Sequence, residues 1–167
     1  MPRLFAAGRI PARRSLTTRS ETYAMTTTQP IAPTFTSLRE KIAFEKAERL
    51  ADYARFEAML RTAYAVAREA GERHQPSVMQ VLENGRVIDT VLDGPCGFAW
   101  VTIRPGTSRF ARWAVANGHA RKSYGGGIQL WVSAFNQSYE RKMAAAEALA
   151  DCLRMAGIKA YASGRLD

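Results

Sequence analysis

Apolar positions along the chain change period once, near Pro76. Before that point Tyr53, Phe56, Leu60, Ala63, Ala67 and Ala70 recur at steps of three and four, which lines one face of a helix. Ser37-Leu38-Arg39-Glu40 matches a capping box, in which the Ser and Glu side chains satisfy orphan backbone donors at the helix start. Helix-forming residues continue without Pro or Gly until Gly71. Lys41 with Glu45, Glu45 with Arg49, and Glu57 with Arg61 set opposite charges one turn apart on the wet side. A helix over residues 37–73 runs about 50 Å. That is longer than a small sheet is wide, so part of it projects, bends back or pairs with another chain.

After Pro76 the alternation has period two. Val78 to Glu83 and Arg86 to Val91 flank Asn84-Gly85, a pair suited to a tight hairpin turn. Phe98 to Arg104 predicts a third strand, stopped by Pro105-Gly106. Thr107 or Ser108 caps a short helix through Asn117, with Gly118 as its stop. Ile128 to Phe135 predicts a fourth strand. Asn136 or Ser138 opens a last helix through Ala156, burying Tyr139, Met143, Ala146, Ala150 and Leu153, and Ile158 to Ala162 is a short fifth strand. The expected fold is α+β: a long N-terminal helix, a three-stranded antiparallel meander, then helix-strand-helix-strand, giving a two-layer sheet with helices. The last units are candidates for crossover connections.

Residues 1–36 read differently. They carry Arg3, Arg9, Arg13, Arg14 and Arg19 against a single acid, Glu21, with a Thr- and Pro-rich stretch behind them. The expectation is a disordered basic and polar tail outside a single domain at 37–167. Met25 opens a polar run, so residues 1–24 read as an over-extended gene start. A transit peptide is the alternative, and only it implies a mitochondrial rather than a cytoplasmic setting.

Over the whole chain 24 Lys and Arg face 15 Asp and Glu, a net charge of +9, which favours polyanionic partners. The imbalance is local. From Gly94 to Tyr139 there is no acid, while Arg104, Arg109, Arg112, Arg121 and Lys122 fall there together with Trp100, Trp113 and Trp131. Guanidinium groups neutralise phosphate and flat rings stack on bases, so this stretch, with Tyr124 beside it, is the candidate nucleic-acid-binding site. Unpaired backbone donors at Thr107 to Phe110 add to an anion site there. Alternation puts Ala99, Val101 and Ile103 on one sheet face and Phe98, Trp100, Thr102 and Arg104 on the other. In the fourth strand it sets Ile128, Leu130, Val132 and Ala134 opposite Gln129, Trp131, Ser133 and Phe135. An exposed face of Phe98, Trp100, Trp131 and Phe135 would resemble the stacking platform of single-strand RNA binders. The long helix needs a partner for its own stripe, however, and burying a large aromatic is worth about 2–3 kcal/mol. The aromatic face is therefore expected to be core, covered by that helix.

Other chemistry has less to stand on. Cys96 in Pro95-Cys96-Gly97 with His119, oriented by Asn136, sketches a thiol-dependent enzyme. A lone Cys beside Gly also reads as packing, as does Cys152 in the last helix. His74 ends the first helix, where a cation suits the dipole. Gly125-Gly126-Gly127 precedes a strand and lacks the Lys-Ser/Thr pair of a phosphate loop. Two cysteines and two histidines make no zinc motif, no cofactor fingerprint is present, and no apolar run is long enough for a membrane span.

Cys96-Gly97-Phe98-Ala99-Trp100-Val101, Trp131-Val132-Ser133, Asn136-Gln137-Ser138-Tyr139-Glu140-Arg141-Lys142 and Gly157-Ile158-Lys159-Ala160-Tyr161 resemble small uncharacterised proteins of tailed bacteriophages and prophages. The resemblance covers residues 94–167, implies a bacterial or viral cytosolic setting, and assigns no catalytic residue. The expected function is that of a small non-catalytic basic protein associated with nucleic acid, with weak sequence preference. The alternatives are an assembly or regulatory protein that binds a protein partner, or forms a homo-oligomer, through the helix 37–73, and the Cys96/His119 enzyme.

Overall fold

The computed structural model describes residues 33–167, and the reading of residues 1–32 as a tail or leader lies outside them. Helix α1 spans Leu38–Arg73; Ser37 caps it by accepting the Glu40 N–H, one half of the capping box, while the Glu40 carboxylate accepts from the N–H and hydroxyl of Thr36 rather than from Ser37. A hairpin follows, β1 (Met79–Glu83) and β2 (Arg86–Val91), turning on Asn84 and Gly85, both at positive φ. Then come β3 (Gly97–Ile103), α2 (Arg109–Ala116), β4 (Arg121–Lys122), β5 (Ile128–Val132), α3 (Tyr139–Met155) and β6 (Ala160–Leu166). The class is α+β, and Thr36–Asp167 form one unit.

Strand pairing departs from a meander. The hairpin is a sheet of its own, and β3 lies between β5 and β6 in an antiparallel sheet ordered β4-β5-β3-β6. The hairpin carries apolar residues on both faces (Val81 beside Leu82, Val87 beside Ile88), so it has no single face to lay on a core, and all its strand residues but Val91 are exposed. β3 alternates strictly, and its Ala99, Val101 and Ile103 are fully buried. β5 and β6 both run antiparallel to β3, so α3 is the crossover that joins them.

The core forms where α3 covers the aliphatic face of this sheet. Ala145, Ala146, Leu149, Ala150 and Leu153 meet Ala99, Val101, Ile103, Ile128, Leu130 and Ala160. Tyr139 and Met143, expected on the same helix face, are half-buried. Phe56, Leu60, Ala63 and Ala67 join this cluster, and α1 packs along α3 rather than over the aromatic sheet face. This overturns the expected burial of the Phe98/Trp100/Trp131 face. The small residues Ala63, Ala67 and Gly71 suit close contact with the alanine-rich α3, and Phe56, the bulkiest buried residue of α1, packs on Phe110 and Trp113 of α2 instead of on the sheet.

Gly71 lies in the last turn of α1. A β-carbon there would sit on the Phe135 ring and 3.0 Å from the Arg141 carbonyl. Phe135 has left the sheet: β5 stops at Val132, and positive φ at Phe135 and Asn136 folds the ring against α1. It is no part of the aromatic face.

Candidate functional site

The acid-free stretch supplies two surfaces that meet at one end of the sheet. The first is basic. Arg104 leaves the end of β3 and donates to the Gly125 carbonyl at 3.0 Å. Gly127, at positive φ, lies so close to the Ile103 carbonyl that only glycine fits, which seals the loop against that end of β3. Arg104, Gly106, Gly125, Gly126, Gly127 and Lys159 line a shallow cleft of about 460 Å³. A neighbouring cleft of about 390 Å³ shares Gly106 and Gly127 and adds Arg112, Lys122 and Ser123. No carboxylate lines either cleft. Lys159 joins this group although it is remote in sequence, because β6 starts beside the end of β3.

The other expected residues distribute unevenly. Arg109 is turned onto α1, where the Asp52 carboxylate bonds it and holds its guanidinium pKa above the ordinary value. Arg121 pairs in register with Gln129 at the edge of the sheet, and Tyr124 is wholly exposed in the loop. Trp113 is core, packed against Phe56, Phe110 and the His119 ring. At the N-terminus of α2 the Ser108 hydroxyl accepts the Ala111 N–H, and the Ser108 N–H donates to the Pro105 carbonyl.

The second surface is the outer sheet face. Across it run Arg121, Gln129, Thr102 and Tyr161 in one row; Trp131, Trp100 and Ser163 in the next; and Phe98 with Arg165 in the last. Every one of these is exposed or half-buried, and Trp131 is 40% exposed. The Trp100 and Trp131 rings lie 5.1 Å apart at 31°, and Phe98 meets Trp131 edge-on at 6.2 Å. Arg165 lies 5.3 Å from the Phe98 ring centre and Lys142 5.5 Å from it. Lys142 is 5% exposed and donates to the Gly97 carbonyl at 2.9 Å, so it braces this corner from beneath. Arg165 was invisible to the sequence reading because β6 runs four residues past the strand expected there; Lys142 was legible only as a charge among inward helix positions.

The thiol arrangement does not assemble. Cys96 lies before the start of β3, bridged to Ser138, whereas His119 precedes β4 beside the far end of β3 and contacts Glu57 at 3.3 Å. Seven strand residues separate the two ends, about 20 Å. Among the described residues no group of three or more His, Cys, Asp and Glu gathers, and no helix is long and apolar enough to cross a membrane.

At the opposite end from the basic clefts, Glu140 accepts the Ser77 N–H at 2.6 Å and faces His74, tying the segment after α1 to α3. The Ser77 bond, helped by His74, holds the Glu140 carboxyl below its ordinary range. A depressed carboxyl pKa stabilises the fold above the unfolded-state value, and that contribution disappears as pH falls through the folded value. Glu140→Gln therefore flattens the acid side of a stability-versus-pH curve below about pH 5. Chemical denaturation at a series of pH values checks this; an unchanged acid limb refutes it.

No family model, curated protein or solved structure matches the chain.

Proposed function

We propose that this protein associates with nucleic acid, without catalysis and with weak sequence preference, through the basic end of its main sheet. The observation that carries the reading is the convergence of Arg104, Arg112, Lys122 and Lys159 on two adjoining clefts that no carboxylate lines. Cations on a solvent-open rim exchange condensed counterions for phosphate contacts and need no fixed base geometry.

The test is a titration of the full chain with duplex and single-stranded oligonucleotides at several salt concentrations. Arg112 and Lys122 are exposed and line one cleft. Changing both to Ala lowers the log–log salt slope by about 1.8 on duplex and about 1.4 on a single strand. A second variant with Arg3, Arg9, Arg13, Arg14 and Arg19 changed to Ala isolates the N-terminal charges. If only that variant loses binding, the basic end is not the site.

A protein-binding role has its own support. Leu38, Ile42 and Leu50 on the first half of α1, and Val81, Leu82, Val87 and Ile88 on the hairpin, are exposed. Apolar surface of this extent suits a partner or a second copy. The molecular mass of the full chain in solution separates self-association from the nucleic-acid reading.

A further inference from the structure

We infer that the outer face of the four-stranded sheet is a base-stacking platform, so that the nucleic acid this protein prefers is single-stranded. The inference rests on the nucleic-acid reading above and adds the substrate class and a second surface. It begins from a cost. The inner sheet face is built from Ala, Val, Ile and Leu, while the larger rings of Phe98, Trp100 and Trp131 face outward. Among the described residues α1, α2 and α3 contribute their buried apolar side chains to the inner core, and no outer-face residue belongs to it. A fold that leaves two of its three tryptophans on a sheet face that no described element covers forgoes burial that it could have used, and such a surface marks a binding site.

The chemistry of the face selects the occupant. Phe98 is engaged edge-on by Trp131 and flanked by Arg165 and Lys142. Trp100 and Trp131 overlap each other, 5.1 Å apart and tilted by 31°, and Trp131, the more exposed of the two, carries the outer ring surface in the middle of the sheet. Gln129, Thr102 and Ser163 surround it with hydrogen-bonding groups, and Arg121 and Arg165 stand at diagonal corners. From strand spacing and rise, those corners are roughly 20 Å apart, a span on which a sheet stacks about two or three bases. The row holding Arg121 adjoins the basic clefts, so a strand crossing the rings continues onto Lys122, Arg104 and Lys159.

Charge argues against a second copy as the occupant. The outer-face positions of these strands include two arginines and no carboxylate; the acid Asp167 lies past the end of β6. A twofold contact through this face would bring only cations toward cations. Glu72 borders the cleft at the open edge of β5 that Trp131 also lines, but Arg68 pairs with it at 2.8 Å. A duplex is excluded by shape, because its bases are stacked on one another and present no ring faces to the sheet.

The test uses the full chain with an oligothymidylate of about twelve nucleotides and a mixed-sequence duplex of the same length. Tryptophan fluorescence falls on adding the single strand and stays unchanged on adding duplex. Trp131→Ala weakens single-strand binding about tenfold to a hundredfold, leaves duplex binding unchanged, and leaves the salt slope unaltered. Trp131→Phe, which keeps a stacking ring and guards against a folding defect, retains most of the affinity. If both oligonucleotides bind with salt slopes set by Arg112 and Lys122 while Trp131→Ala changes neither, the platform is refuted and the basic-end reading stands. If neither binds at low salt, both fall. A dimer in solution that Trp131→Ala dissociates would make the face a contact between copies and overturn the inference.

Discussion

Leu153→Ala lowers the stability of the domain by about 2–5 kcal/mol, the range for truncating a fully buried leucine. The side chain has no solvent exposure and lies on α3 one turn beyond Leu149 and Ala150, facing the aliphatic side of the sheet. Its neighbours are mostly alanines and strand residues held in a hydrogen-bonded ladder, so the site cannot collapse to fill the void. That sets the cost toward the upper part of the range. A domain of this size loses about 4 °C in Tm per kcal/mol. Calorimetry or urea denaturation followed by circular dichroism measures the loss. A change under about 0.5 kcal/mol, as at surface positions, would show that α3 does not present this face to the sheet.

Gly71→Val lowers stability by about 2–3 kcal/mol, although replacing a helical glycine by valine ordinarily gains about 0.3 kcal/mol in propensity. Two effects oppose each other here. Removing backbone freedom favours the substituted helix. The new β-carbon, however, meets the Phe135 ring and the Arg141 carbonyl. The carbonyl is anchored in α3, and Phe135 is held at a positive φ with little freedom to withdraw. Overpacking wins. Phe135→Ala in the same chain opens the space and recovers part of the loss, so the double variant is more stable than the two single effects added. Additive losses would mean that α1 and the turn after β5 do not touch as described.

Much of the fold was legible because it is local. Ser37, Ser108 and Gly118 declare helix ends through groups within a turn of each end, and Asn84-Gly85 declares a hairpin through its own dihedral preferences. Phe135 was misread for an instructive reason. Ser133, Ala134 and Phe135 continue the alternation of β5, and a bulky residue at positive φ is not expected from sequence. What turns the chain there is a contact with Gly71, sixty-four positions earlier. Lys159 and Arg165 escaped the candidate site because only the pairing of β6 with β3 carries them to its two ends. Arg109 looked equivalent to Arg112 until Asp52, on a distant stretch of chain, was found to bind it.

Period-two alternation by itself determined which residues of β3, and of β5 as far as Val132, share a sheet face, and charge by itself marked the acid-free stretch. Both are properties of neighbours along the chain. Which face became core was decided only in the tertiary structure, because both faces were apolar enough to be buried. The helices settled it by volume. The small inward residues of α3 approach a surface of Ala, Val and Ile closely, and α1 finds its own partner in α3. The tryptophan face was left on the outside with the arginines that adjacent strands bring to its corners.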